Sequence, residues 1–229
     1  MQTGTEFLIL SGILTIIISA ATGLLLGWKW YKQEVRLMTD LPLVFSISVI
    51  SQAANSLVLT LSNTGVLEST MELFRFRTLL IGGGILPISA TLLQIWAPSH
   101  KKHHSKTVIL LIMYWFSVAL LGTSETIIMM LAIPVMIGIS IMMTVTFIVT
   151  WKTGRLKEVR SELLIGSILL AMASQVLKLS LMSTSMFYVP DVLLAISMIF
   201  IGLGIANPWY SKEKKSHHVE PPLIAPTAE

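Results

Sequence analysis

The chain has 229 residues, a formal net charge of +4, 54% hydrophobic residues, only 12% charged ones and a mean hydropathy of +0.79. So little polar surface cannot cover a soluble globule of this size, which makes the chain an integral membrane protein. The absence of cysteine excludes disulfides, thiol nucleophiles and thiolate metal sites, and leaves the compartment's redox state unread.

Apolar runs of the length a bilayer core requires of a helix fall at 7–28, 41–62, 74–97, 107–123, 126–151, 162–184 and 190–207. The first has no basic region before it and no small-residue cleavage site after it, so it reads as a span and not as a cleavable signal. Lys29, Lys32 and Arg36 follow it, and the connection after the second span is acidic instead, with Glu68 and Glu72. Lys101, Lys102 and Lys106 follow the third span, and Lys152, Arg155, Lys157 and Arg160 the fifth; Lys212, Lys214 and Lys215 lie in the tail. Thirteen of the sixteen basic residues therefore sit on alternate connections, and the positive-inside rule places these in the cytoplasm. The expected protein is an all-α, seven-span, multi-pass protein of the cell membrane, N-terminus outside and C-terminus inside. The positive charge expresses topology and contact with anionic lipid at the cytoplasmic loops, not a nucleic-acid surface. The tail at 211–229, with "HHVEPPLIAPTAE", has no periodicity and is expected to be disordered, leaving one transmembrane domain over 1–210.

The spans also repeat. "WKWYKQEVR" (28–36) follows the first and "WKTGRLKEVR" (151–160) the fifth; 23 residues beyond each Trp comes Ser-Gln, in "SQAANSLVLTLSNT" from Ser51 and "SQVLKLSLMSTS" from Ser174. "GGGILP" (82–87) in the third span then answers "GLGIANP" (202–208) at the seventh. Three matches in one order, at offsets of 120 to 124 residues, indicate two three-helix units of the same orientation, 7–97 and 126–208, joined by the span at 107–123. The competing reading is that Trp-Lys at a membrane exit and small residues inside spans are commonplace.

This repeat pairs Gln52 with Gln175 and Asn55 with Lys178. Residues three apart share a helix face, and polar residues inside hydrocarbon are expected to face the bundle. Lys178 is about 16 residues, roughly 24 Å, from the cytoplasmic end of its span, in the outer third of the membrane. Its expected neighbours are the other outward groups: Asp191 at the start of the last span, Glu125 between the fourth and fifth, and Arg75 and Arg77 at the start of the third. A lysine so near a helix end either snorkels to the headgroups, pairs with Asp191, or meets a ligand. The candidate ligand-binding set is Gln52, Asn55, Arg75, Gln175, Lys178 and Asp191. Pro87, with Gly82, Gly83 and Gly84, makes the third span the best candidate among the seven for a flexible or broken helix, but close helix packing is the preferred reading of these residues.

No histidine, cysteine or paired carboxylate lies within a span, and no GxSxG, phosphate-loop or zinc motif occurs. Catalysis, a metal site and a cofactor are therefore not expected. The five histidines lie in "HKKHHSK" and the tail, among ammonium groups that repel a cation.

Microbial rhodopsins share this size and duplication, but they carry their retinal lysine in the seventh span, which here has none. Small sugar transporters share the duplication as well, but their Pro-Gln signature is missing. The run "ELFRFRTLLIGGGILPISATLLQIW" (72–96), with "ELLIGSILLAMASQVLKLSLMS" and "PDVLLAISMIFIGLGI", resembles the seven-helix sensor module at the N-terminus of prokaryotic histidine kinases. The resemblance implies a sensor-like or receptor-like protein binding a small ligand in an outward cavity. No output domain follows Tyr210, so signalling is expected through a protein partner or a second copy. A small transporter rocking its two units, and a structural subunit of a membrane complex, are the alternatives.

Overall fold

A computed structural model describes residues 2–154, 158–181, 184 and 186–210. Arg155, Lys157, the expected end of the sixth span beyond Leu181 and the tail at 211–229 lie outside the described residues. The described chain is helical: α1 (Gln2–Tyr31), α2 (Leu41–Asn63), α3 (Met71–Trp96), α4 (Lys101–Leu121), α5 (Glu125–Thr153), α6 (Ser161–Leu181) and α7 (Val189–Ala206), with a 3₁₀ turn at Pro98–His100. All seven helices are long and apolar enough to cross a membrane, and the chain is a multi-pass membrane protein.

Local chemistry sets the helix ends. The Thr70 Oγ1 accepts from the Leu73 amide at 3.3 Å, and the Ser124 Oγ from the Ile127 amide at 3.3 Å, filling two orphan amides at helix starts. Pro42 and Pro190 occupy first turns, where a missing N–H costs nothing. The basic stretch after Ser99, expected as a loop, belongs to α4 from Lys101, because no glycine or proline interrupts it. Glu125, expected in a turn, is the first residue of α5 behind the Ser124 cap. Neither Pro87 nor Pro134 ends its helix.

Six helices close a ring in the order α1, α2, α3, α5, α6, α7 and back to α1, with α2 and α7 also touching; α4 lies outside, against α3 and α5. Cross-helix contacts fix the directions. Thr15 meets Asp191 and Lys29 meets Ile205, so α1 and α7 run parallel. Ser174 meets Pro190 and Ser197 meets Ser167, so α6 and α7 run antiparallel. The basic connections thus share one end of the bundle.

The apolar core runs from that end along the bundle to Leu194, in the second turn of α7. Leu26, Phe45, Leu92, Phe147, Leu164 and Ile205 form its part nearest the basic connections, with the Phe45 and Phe147 rings 6.2 Å apart. These residues come from the last turns of α1, α3, α5 and α7 and the first turns of α2 and α6.

Small residues bring the helices together, as expected where van der Waals contact drives association. The glycines of α3 are packing positions. A Cβ on Gly83 or Gly84 would crowd the hydroxyls of Ser51 or Ser48 at 3.0 and 3.1 Å, and one on Gly82 would overlap the Trp115 indole. Trp115 is fully buried, and its Nε1 donates to the Thr78 carbonyl at 2.9 Å, latching α4 onto α3. The α3 glycines thus serve close packing, the preferred reading of their sequence, in a helix that continues through Pro87.

Trp115→Ala should lower stability by about 3–5 kcal/mol. Gly138→Ala, where an added Cβ meets nothing within 4 Å, should be neutral or stabilising. Equilibrium unfolding in detergent measures both.

Candidate functional site

At the end opposite the basic connections, polar side chains from five ring helices converge. On α6, buried Ser174 donates from Oγ to the Pro190 carbonyl at 2.7 Å. This bond sets the crossing of α6 and α7, and Lys178, one turn further along α6, faces the same way. Lys178 is half-buried and interacts electrostatically with both Asp191 and Arg77.

Asp191 is held from α1. Its carbonyl accepts from the Thr15 Oγ1 at 3.0 Å, and Ser11 is a hydrogen-bonding neighbour of its carboxylate. Ser11, Thr15 and Ser19 are all buried, spaced four apart on α1, and form a polar stripe along the side that meets α7. Among the described residues Lys178 and Asp191 form no direct ion pair; they act on one another across the space between α6 and α7.

Arg77 completes the cluster from α3. Its Nε donates to the buried Asn55 Oδ1 at 3.2 Å, and its charge reaches Glu125 as well as Lys178. Arg75, also on α3, donates from Nη2 to the Gly122 carbonyl at 3.0 Å at the end of α4. Residues two apart are about 200° apart around a helix, so only one of the two arginines faces the ring.

The remaining expected residues divide. Gln52 is half-buried and donates locally to the Ser56 Oγ at 3.3 Å. Gln175 is exposed. It nevertheless continues the stripe of Leu164, Ile168 and Ala171 at helical spacing, whose members are buried in the core or packed against it. Asn55 is bonded to Arg77 and the Asp191 carbonyl to Thr15, Lys178 lies within electrostatic range of Asp191 and Arg77, and Arg75 is bonded to Gly122. The four-residue spacing of Ser11, Thr15 and Ser19 was the available signal for the α1 stripe. For Arg77 over Arg75 there was none without helical phase.

Among the described residues no three histidine, cysteine or acidic side chains converge as a metal site. A separate recess of about 320 Å³ lies at the basic end, lined by Thr150, Arg160, Ser161, Asn207 and Trp209, with the Arg160 guanidinium 4.8 Å from the Trp209 ring centre. It has no part in the polar cluster. Comparison of the chain with protein-family models, with curated proteins and with solved structures finds no match.

Asn55→Leu strips Arg77 of its acceptor and should cost about 1–3 kcal/mol. Arg77→Met with Asn55→Leu should cost less than the two singles together, by about 0.5–3 kcal/mol. Arg75→Ala, whose partner is Gly122, should add independently to Asn55→Leu. A double-mutant cycle on detergent unfolding free energies measures this coupling.

Proposed function

We propose that this protein is a sensor-like, receptor-like membrane protein of the cell membrane that binds a small ligand between Arg77, Asn55, Lys178 and Asp191. The observation that carries the reading is the convergence of charged and amide groups from α2, α3, α6 and α7 at one end of a ring whose core is dry at the other. Charges inside a span are costly and mark functional positions by default. The N-terminus is outside and the C-terminus in the cytoplasm, so the polar cluster faces outward.

Transmission runs through α7. Its outer end is bonded to α1 through Thr15, and its inner end through the Lys29 ammonium, which donates to the Ile205 and Ala206 carbonyls at 2.5 and 3.0 Å. A ligand that bound one placement of Asp191 more tightly than another would shift α1 and α7 together by its differential affinity. The shift would reach the basic connections, where a protein partner or a second copy reads it. The layout similar to histidine-kinase sensor modules fits this division of labour.

A second reading has its own support. Exchanging α1, α2, α3 with α5, α6, α7 maps the α1–α2 contact onto α5–α6, α2–α3 onto α6–α7, and α1–α7 onto α3–α5. Two duplicated units around an axis along the membrane normal would give this pattern, which is also the plan of a small transporter.

Copurification from native membranes in mild detergent tests the choice. The sensor reading expects a fixed partner or second copy whose yield falls in Lys29→Met. Recovery of the protein alone, with solute uptake in liposomes, sinks it in favour of the transporter. Orientation has a separate check, because the chain has no native cysteine. On intact cells Glu68→Cys should react with an impermeant maleimide, and Lys102→Cys only after permeabilisation; the reverse pattern inverts the topology.

A further inference from the structure

We infer that the groove between α1 and α2 at the basic end binds one anionic phospholipid, with a lipid chain along the groove and the phosphate at Lys32 and Arg36. Basic connections attract anionic lipid in general; this is one defined site, and it is independent of the outward cluster.

The groove has a volume of about 640 Å³. Leu24, Leu25, Trp28 and Tyr31 of α1 and Ile50 of α2 line it, and all five are exposed on the outside of the bundle. Gly23 and Gly27 let the two helices close behind them: a Cβ on Gly23 would overlap Ile50, and one on Gly27 would stand 3.0 Å from the Ser46 Oγ. The Ser46 hydroxyl is spent on the Gly23 carbonyl at 2.7 Å, so the groove below Trp28 suits a hydrocarbon chain and not a polar one. From Gly23 to Tyr31 it runs about 12 Å along α1 at 1.5 Å per residue. That is most of the half-thickness of a bilayer core of about 30 Å, the depth of one leaflet.

Two cations stand at its mouth. The Lys32 ammonium lies 4.7 Å from the Trp28 ring centre, and the Arg36 guanidinium 4.7 Å from that of Tyr31. Each is thus seated on an aromatic ring that lines the groove. The connection folds back to hold them there. The Trp30 Nε1 donates to the Leu37 carbonyl at 3.1 Å, the Arg36 Nε to the Gln33 carbonyl at 3.3 Å, and the Asp40 carboxylate accepts from the Leu37 amide at 2.8 Å. Lys29 is turned the other way, onto the last carbonyls of α7, and Glu34 is exposed. The repeated stretch ends alike in its second copy: Arg160 closes "KEVR" as Arg36 closes "QEVR", and it too stacks on an aromatic ring, 4.8 Å from Trp209.

An apolar groove ending in two cations is complementary to a molecule with a long apolar part and an anionic head, and the anionic phospholipids of the membrane are such molecules. A second copy docked through a two-fold axis would present the same patch, cations included, to this one. Free phosphate would leave the groove unfilled.

The test mixes the full-length protein in detergent with dioleoylphosphatidylglycerol or dioleoylphosphatidylcholine, which share their chains and differ in net headgroup charge. Native mass spectrometry counts the lipids bound per chain. One phosphatidylglycerol is expected to bind about tenfold or more tighter than phosphatidylcholine. Lys32→Gln with Arg36→Gln should remove that lipid. Lys32→Arg with Arg36→Lys should keep it, and so should Lys106→Gln, which deletes a charge at the same end but on α4. Leu24→Trp, which retains every charge and fills the groove from an exposed position, should weaken binding about tenfold or more. Occupancy unchanged in the Lys32→Gln, Arg36→Gln protein overturns the site. Equal binding of the two lipids overturns its anionic class. Glycerol 3-phosphate, a phosphate head without chains, should fail to displace the lipid; displacement by it, with Leu24→Trp binding normally, assigns the cations to free phosphate and overturns the lipid.

Discussion

Hydrocarbon offers no hydrogen-bond partners, and the architecture of this protein follows from that one fact. Helices pair their own backbone groups, so the spans are helical. What is left over must find partners between helices: serine and threonine hydroxyls, two tryptophan indoles and a few charges. Ser174 on Pro190, Ser197 on Ser167, Ser46 on Gly23 and Trp115 on Thr78 are all side chains reaching a neighbouring helix's carbonyl. Each such bond fixes a crossing, and between them they hold α6 to α7, α2 to α1 and α4 to α3.

The same scarcity explains the polarity of the bundle along its length. At the basic end, Lys29 satisfies the last carbonyls of α7 while the apolar residues behind it close the core. At the other end the charges cannot all be dispersed to the surface, because Lys178 sits on the side of α6 that Ser174 turns toward α7. The placement of these charges follows from how the helices are bonded, with α7 tied to α1 at both ends.

Much of this was legible beforehand. The seven apolar runs match the seven helices to within a few residues at most ends, because length and apolarity are properties of the chain that the bilayer reads directly. The basic connections were legible for the same reason. The place of Asp191 in the first turn of the last helix was legible from Pro190 before it. Close packing at the α3 glycines was legible as the preferred reading of "GGGILP", but the partner was not: Trp115 lies more than 25 residues away in the chain.

What the sequence determined by itself is the set of spans, their alternating charge and the existence of a polar level near one end, since hydropathy and charge act locally along the chain. Which side chains meet there depended on helical phase and on neighbours remote in sequence. Arg75 and Arg77 are two residues apart and chemically identical, yet one caps α4 at Gly122 and the other faces Asn55 and Lys178. A rotation of about 200° between them turns one toward α4 and the other toward α2, and only the packing of α2 and α4 against α3 fixes which is which.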